Sequence, residues 1–180
     1  MWWIFYWCSA RLTLIWGEGM NETIRYKTEW KIRKYANNEA FHRDEPFEES
    51  VVEGNALLNE GIGELWDLAC GLGTPAAFSN ANAYLGVGDS STAEGAAQTG
   101  LQASTNKAYA AMESGYPSRS GQTVTWRSVF GTSVANFAWN EFTVANGSSD
   151  SAVNLNRKVS SQGTKASGQT WTLDLAITFS

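Results

Sequence analysis

The sequence predicts a mainly β protein: an antiparallel β-sandwich-like body with one packed α-helix over about residues 55–70 and an N-terminal strand and arm. Three observations predict it. Residues 171–180 place Trp171, Leu173, Leu175, Ile177 and Phe179 at alternate positions, with Thr172, Asp174, Ala176, Thr178 and Ser180 between them. That is the period-2 pattern of a half-buried strand. Near the other end, Ile24, Tyr26, Thr28, Trp30 and Ile32 alternate with Arg25, Lys27, Glu29, Lys31 and Arg33, a second amphipathic strand. Between them, short apolar runs are separated by polar links that carry glycine, the spacing of a sandwich or barrel.

The elements follow in order. Residues 1–19 hold Trp2, Trp3, Trp7 and Trp16, together with Phe5 and Tyr6. They lack the basic, aliphatic and small-residue zones of a signal peptide, and Arg11 interrupts the run that a membrane span of about 20 apolar residues would need. Gly17-Glu18-Gly19 back-translates to purine-rich codons before Met20, so residues 1–19 read as an aromatic leader from an upstream mis-start. A membrane anchor and an ordinary extra segment are the alternatives. Residues 20–54 read as an N-terminal strand and an acidic arm, with the stretch from His42 to Glu49 forming the arm around Pro46. Residues 55–180 read as the β-rich body.

Within the body, Leu57, Leu58, Ile62, Leu65, Trp66 and Ala69 fall at helical spacing, with Asn55 as N-cap and Gly71 as the residue past the C-terminus. Gly61 and Gly63 each cost about 1 kcal/mol against Ala inside a helix, which implies close packing on a sheet. Strands are predicted near residues 83–87, 124–128, 137–144, 155–160 and 170–180, and a turn at 146–150. Residues 92–102 read as a short helix or a loop. Residues 107–116 set Ala-rich helical propensity against β neighbours.

Bulk properties narrow the function. The 180 residues are enough for one domain and short for two. A net charge of −5 argues against a nucleic-acid partner, since phosphate contacts need clustered Lys and Arg. Arg25, Lys27, Lys31, Arg33 and Lys34 do cluster, and read as the wet face of a strand. Cys8 and Cys70, far apart, make neither a disulfide framework nor a zinc site, and suit assembly in a reducing cytoplasm.

No reaction chemistry stands out, and no metal or cofactor is expected. His42 is the one histidine and has no nucleophile beside it. Glu60, Glu64 and Asp67 share a helix face and read as its solvated side. Gly86-Val87-Gly88-Asp89 lacks the Lys of a phosphate loop and reads as a turn. Asp174 and Glu141 are the strand-borne acids of the C-terminal half, with no spacing that pairs them. Trp171 shares its parity with Leu173 and reads as core. Trp139 shares its parity with Glu141 and Thr143, so it is the tryptophan expected to be exposed, and a possible ligand-binding residue for a glycan.

From Gly54 onward the chain resembles a family of small virion proteins encoded by tailed bacteriophages. The resemblance rests on Gly54-Asn55-Ala56-Leu57-Leu58-Asn59-Glu60-Gly61-Ile62, on Phe78-Ser79-Asn80-Ala81-Asn82-Ala83-Tyr84-Leu85-Gly86-Val87-Gly88-Asp89-Ser90, on Phe137-Ala138-Trp139-Asn140-Glu141-Phe142 and on Trp171-Thr172-Leu173. It covers about two-thirds of the chain. It implies a structural role on the capsid or tail and carries over no catalytic residue.

The expectation is therefore a phage virion structural protein, a capsid decoration or tail- or fibre-associated subunit. It is assembled in the host bacterial cytoplasm and acts by homo-oligomeric contact and contact with other virion proteins, not as an enzyme, and without nucleic acid or membrane. Ile24, Tyr26, Trp30 and Ile32 are the expected partner-binding residues, because an edge strand can extend a neighbour's sheet. The alternative is a carbohydrate-binding receptor module at a tail tip, contacting a host-surface glycan. A hydrolase is the third class, and predicts two close carboxylates in a cleft.

Overall fold

The computed structural model describes residues 25–180; residues 1–19 and Ile24 lie outside them. Twelve elements run in the order β1 (Tyr26–Tyr35), α1 (Asn38–His42), β2 (Glu48–Glu53), β3 (Ala56–Leu57), α2 (Asn59–Cys70), β4 (Tyr84–Gly88), β5 (Lys107–Ala111), β6 (Ser118–Ser120), β7 (Thr123–Phe130), β8 (Glu141–Ala145), β9 (Asn156–Val159) and β10 (Thr170–Phe179). They form two five-stranded sheets, β2-β1-β10-β7-β6 and β3-β9-β8-β4-β5. Every strand pair is antiparallel. The fold is the expected mainly β sandwich.

The alternation read in the two terminal strands sets the core. Trp30 and Ile32 of β1, Leu173 and Leu175 of β10, and Trp126 and Phe130 of β7 point inward from the first sheet, against Leu85, Val87, Phe142 and Val144 of the second. The rings of Trp30 and Phe142 meet across the sheets with centroids 5.7 Å apart. Burial of this apolar face is the main driving force for the fold.

Two expectations are corrected here. First, residues 25–54 are not an arm set apart from the body. The strand β1 lies between β2 and β10, pairing along its whole length with the C-terminal strand from Tyr26–Phe179 to Tyr35–Thr170. Second, the acidic stretch 42–49 is a loop around Pro46 over residues 43–47, as expected, but not a free arm: it joins α1 to β2, which returns antiparallel on β1. The charges explain why. Lys27 meets Glu53 at 3.0 Å, Lys31 meets Glu49 at 2.8 Å and Lys34 meets Glu48 at 2.6 Å, so the acidic run neutralises the basic strand across a hairpin.

Helix α2 is shorter than expected. Its N-cap is Leu58, with no side-chain cap, and Asn55 lies in the preceding segment, where its Oδ1 accepts from the Tyr26 hydroxyl. The C-terminus is as read: Gly71 adopts φ 66°, the left-handed cap. Of the two helix glycines, only Gly61 marks close packing. A Cβ there would lie 2.4 Å from Leu155 Cα, whereas Gly63 faces open space. Among the described residues no helix is long and apolar enough to cross a membrane.

The outer face of the second sheet is covered by the chain itself. Loop 89–106 folds back across β4, β8 and β9, closed at its base where Asn106 Nδ2 donates to Asp89 Oδ2 at 2.7 Å. Glu141 Oε1 accepts from Ala103 N at 2.7 Å, and Oε2 from Gln102 N at 2.9 Å. Arg157 donates from Nε to Glu141 at 2.7 Å and from Nη2 to Thr92 O at 3.0 Å. Gly86 and Gly88 make room for this. A Cβ on Gly88 would stand 2.4 Å from Glu141 Oε1, and one on Gly86 would stand 2.6 Å from the Tyr109 ring. They belong to a strand crossed by its neighbours' side chains, not to a turn.

Candidate functional site

The expected site residues fall in the interior. Trp139 is fully buried. Its ring lies edge-on to Phe130 at 4.8 Å and to Trp171 at 4.9 Å, and its indole N–H donates to Ala135 O at 3.0 Å. A ring closed in on its faces and satisfied at its N–H has nothing left for a glycan, so this expectation is corrected. The parity argument failed because β8 begins at Glu141 and Trp139 precedes it in irregular backbone, where strand alternation does not hold. Trp171 is core, as expected.

Trp30 and Ile32 are also 0 % exposed, facing the chain's own core. They offer no partner surface, and the free edges of that sheet are β2 and β6, not β1. Tyr26 is half-buried, and Ile24 lies outside the described residues.

Tyr26 does line the apolar pocket of the molecule, a space of about 250 Å³. It opens where β1 and β7 begin and β10 ends, beside Leu57 of β3. Leu65 and Leu68 of α2 form one wall; Val124, Trp126 and Ile177 form the sheet side; Phe179 stands at the rim, 44 % exposed. Trp126 is held by its indole N–H donating to Phe78 O at 3.2 Å. The one titratable group in this wall, the Tyr26 phenol, is raised above its ordinary value by burial. An apolar cavity of about 150 Å³ already accepts a benzene ring, so this one admits an apolar side chain or a small hydrophobic ligand.

Beside the pocket, α2 turns a second apolar row to solvent. Gly61, Leu65 and Leu68 face the body, while Ile62 and Trp66, one turn apart, are 38 % and 64 % exposed, with Leu72 beyond the cap at 55 %. Of the six apolar positions read as helical, Leu57 lies in β3 and Leu58 is the N-cap; within α2 the apolar residues form two faces, and the body covers one. The helix is fixed in this attitude by its acids. Glu60 accepts from Asn154 N at 3.0 Å, and Glu64 Oε1 accepts from Ala76 N and from Asn146 Nδ2, both at 2.7 Å. The reading of Glu60 and Glu64 as a merely solvated face is corrected: they tie α2 to the loops around it.

The remaining polar candidates are separated. Asp174 lies on the outer face of the first sheet, where Arg127 grips it at 2.7 and 2.5 Å. Glu141 lies on the outer face of the second. The two acids thus stand on opposite sides of the sandwich. His42 is exposed at the end of α1, its ring 5.4 Å from Phe41. Cys70 is an exposed free thiol.

Sequence reasoning missed the pocket because its walls come from separate segments spread between Tyr26 and Phe179. The available signal was the excess of apolar positions on α2, too many for one buried stripe. Comparison with protein-family models, with curated proteins and with solved structures finds no match to this chain.

Proposed function

We propose that this chain is a structural subunit of a tailed-phage virion, a capsid-decoration or tail- or fibre-associated protein. It acts by assembling with copies of itself and with other virion proteins, after synthesis in the host cytoplasm. The virion setting rests on the sequence resemblance. The mode of action rests on one observation: α2 presents Ile62, Trp66 and Leu72 to solvent beside an apolar pocket, while its inner face is already packed. Exposed apolar residues that adjoin one another mark interaction surfaces, and tryptophan is the side chain that most often dominates them. In a repeating lattice each such contact can be weak, because symmetry multiplies it.

Electron microscopy of purified particles with this chain labelled tests the setting; particles without the label overturn it. Sedimentation of the isolated chain tests the surface. Assembly should weaken at least tenfold in Trp66→Ser, the loss expected for a hot-spot residue worth about 2 kcal/mol, with the unfolding midpoint unchanged. Assembly that is indifferent to Trp66 and Ile62 would remove the α2 face from the proposal.

A further inference from the structure

We propose that the outer face of the first sheet carries a saccharide-binding groove, at a site separate from the apolar face of α2. The groove encloses about 280 Å³. Its floor is the cross-strand row Arg33, Thr172 and Val129, which the registers of β1, β10 and β7 place side by side. One wall is α1 and the turn after it; the other is turn 113–116.

Both walls are held by the backbone. Asn37 caps α1, its side chain accepting from Ala40 N at 2.8 Å. Asp44 stands in the left-handed region at φ 53°, a conformation that costs most residues about 1 kcal/mol or more. That turn brings its Oδ1 back over β1, where it accepts from the Tyr35 hydroxyl at 2.8 Å and from Arg33 Nη1 at 2.9 Å. Opposite, Asn80 Nδ2 donates to Glu113 O at 3.0 Å and Tyr116 O at 2.6 Å, pinning the turn from beneath. The Arg127 guanidinium lies 4.9 Å from the Tyr116 ring centroid while its fork holds Asp174.

The lining selects the ligand class. Phe41 on one wall and Tyr116 on the other supply half-buried rings, suited to the C–H face of a sugar. Both guanidiniums already hold a carboxylate, so an incoming anion would have to compete with Asp44 or Asp174. Hydrogen-bonding capacity is left over: exposed Glu113 enters no ion pair among the described residues, and Arg33 Nε and Thr172 Oγ1, buried in the floor, have no partner there. A neutral polyol matches such a mixture, since each hydroxyl donates and accepts at once. Few polar groups placed among aromatic walls is the usual make-up of a specific small-ligand site. Burial and the neighbouring Asp44 raise the Tyr35 phenol to about 12, so its hydroxyl keeps the proton that fixes Asp44.

The test is an NMR titration of the full chain with maltohexaose, chitotetraose and a neutral O-antigen oligosaccharide from bacterial lipopolysaccharide, with inorganic phosphate as the anion control. At least one saccharide should shift the signals of Phe41, Tyr116 and Thr172 with a millimolar dissociation constant. A response to the neutral O-antigen oligosaccharide alone assigns a cell-surface glycan; a response to the soluble glucan or chitin oligomer assigns a free oligosaccharide. Phe41→Ala and Glu113→Gln should each weaken binding about tenfold with the fold intact, and Trp66→Ser should leave it unchanged. Glu113 is exposed, so that variant reports on binding even if Phe41→Ala perturbs α1. Groove signals that stay still for every saccharide, or that move for phosphate alone, overturn the proposal.

Discussion

On the outer face of the first sheet, Lys31 meets Glu49 at 2.8 Å with side chains 35 % and 42 % exposed. On the outer face of the second, Arg157 meets Glu141 at 2.7 Å with neither side chain exposed. The distances are alike and the energetics are not. Water screens the first pair and keeps its worth to at most about 1 kcal/mol. Removal from water makes the second costly to form and still more costly to break, because a lone charge would be left inside. The difference comes from loop 89–106, which lies over the second sheet and supplies the backbone N–H groups of Gln102 and Ala103 to the Glu141 carboxylate. One outer face is thus spent on internal order, and the other stays open with a groove across it. A face with free capacity is where binding is to be sought.

The sharpest break of that contrast is Glu141→Ala. It should destabilise the protein by about 3–5 kcal/mol by stranding Arg157, and release loop 89–106 to proteolysis; urea titration and limited digestion check both. A loss below about 1 kcal/mol would mean that the pair is as wet as Lys31–Glu49.

Next in size is Gly61→Ala. Its Cβ would meet Leu155 backbone at 2.4 Å, so a loss of about 1–3 kcal/mol is expected. Gly63→Ala, with no atom in reach, should be neutral or stabilising by up to about 1 kcal/mol. Equal effects at the two positions, read from thermal unfolding, would refute the close approach of α2 to the backbone of Asn154 and Leu155.

A third prediction concerns Lys165, whose Nζ donates to Gly131 O at 2.8 Å and Asn136 Oδ1 at 2.7 Å with no carboxylate partner among the described residues. Burial lowers its pKa to about 8, below the unfolded value of 10.5. Between those values the unfolded chain binds the extra proton, so the Lys165 contribution to stability rises with pH. Below pH about 8 both states are protonated and that contribution is flat. Lys165→Met should remove the rise, seen as the difference between wild-type and variant urea curves on the two sides of pH about 8.

The smallest effect is expected at Lys31→Ala, under about 1 kcal/mol and shrinking as salt is raised toward 1 M, where the screening length falls to about 3 Å. A larger, salt-independent loss in denaturation would place this surface pair on the buried side of the comparison.

Much of the architecture was legible. The alternation of Trp171 to Phe179 and of Tyr26 to Ile32 identified β10 and β1 as strands and the inward face of β10, and Gly71 marked the end of α2. Three errors share one cause. The strand β1 was read as free for a neighbour, Trp139 as exposed, and the acids of α2 as solvated. Local pattern states that a residue has two different sides; it does not state what lies against each. For β1 the cover is β2 and β10, for Glu64 it is Asn146 and Ala76, and for Trp139 it is Phe130 and Trp171. The site was less legible than the fold for the same reason. Leu65, Trp126 and Phe179 meet at one pocket from three separate elements, and no spacing along the chain links them.

What the chain determined by itself is periodic: the two long terminal strands, the inward face of the last one, and where the helix stops. Side-chain alternation and the glycine cap are local sterics, and they act before any distant contact forms. Only the tertiary structure decided which of those faces stays open, because coverage depends on segments far apart in sequence. Loop 89–106 closed the second sheet, and nothing among the described residues closed the row Ile62, Trp66 and Leu72 or filled the groove between Phe41 and Tyr116.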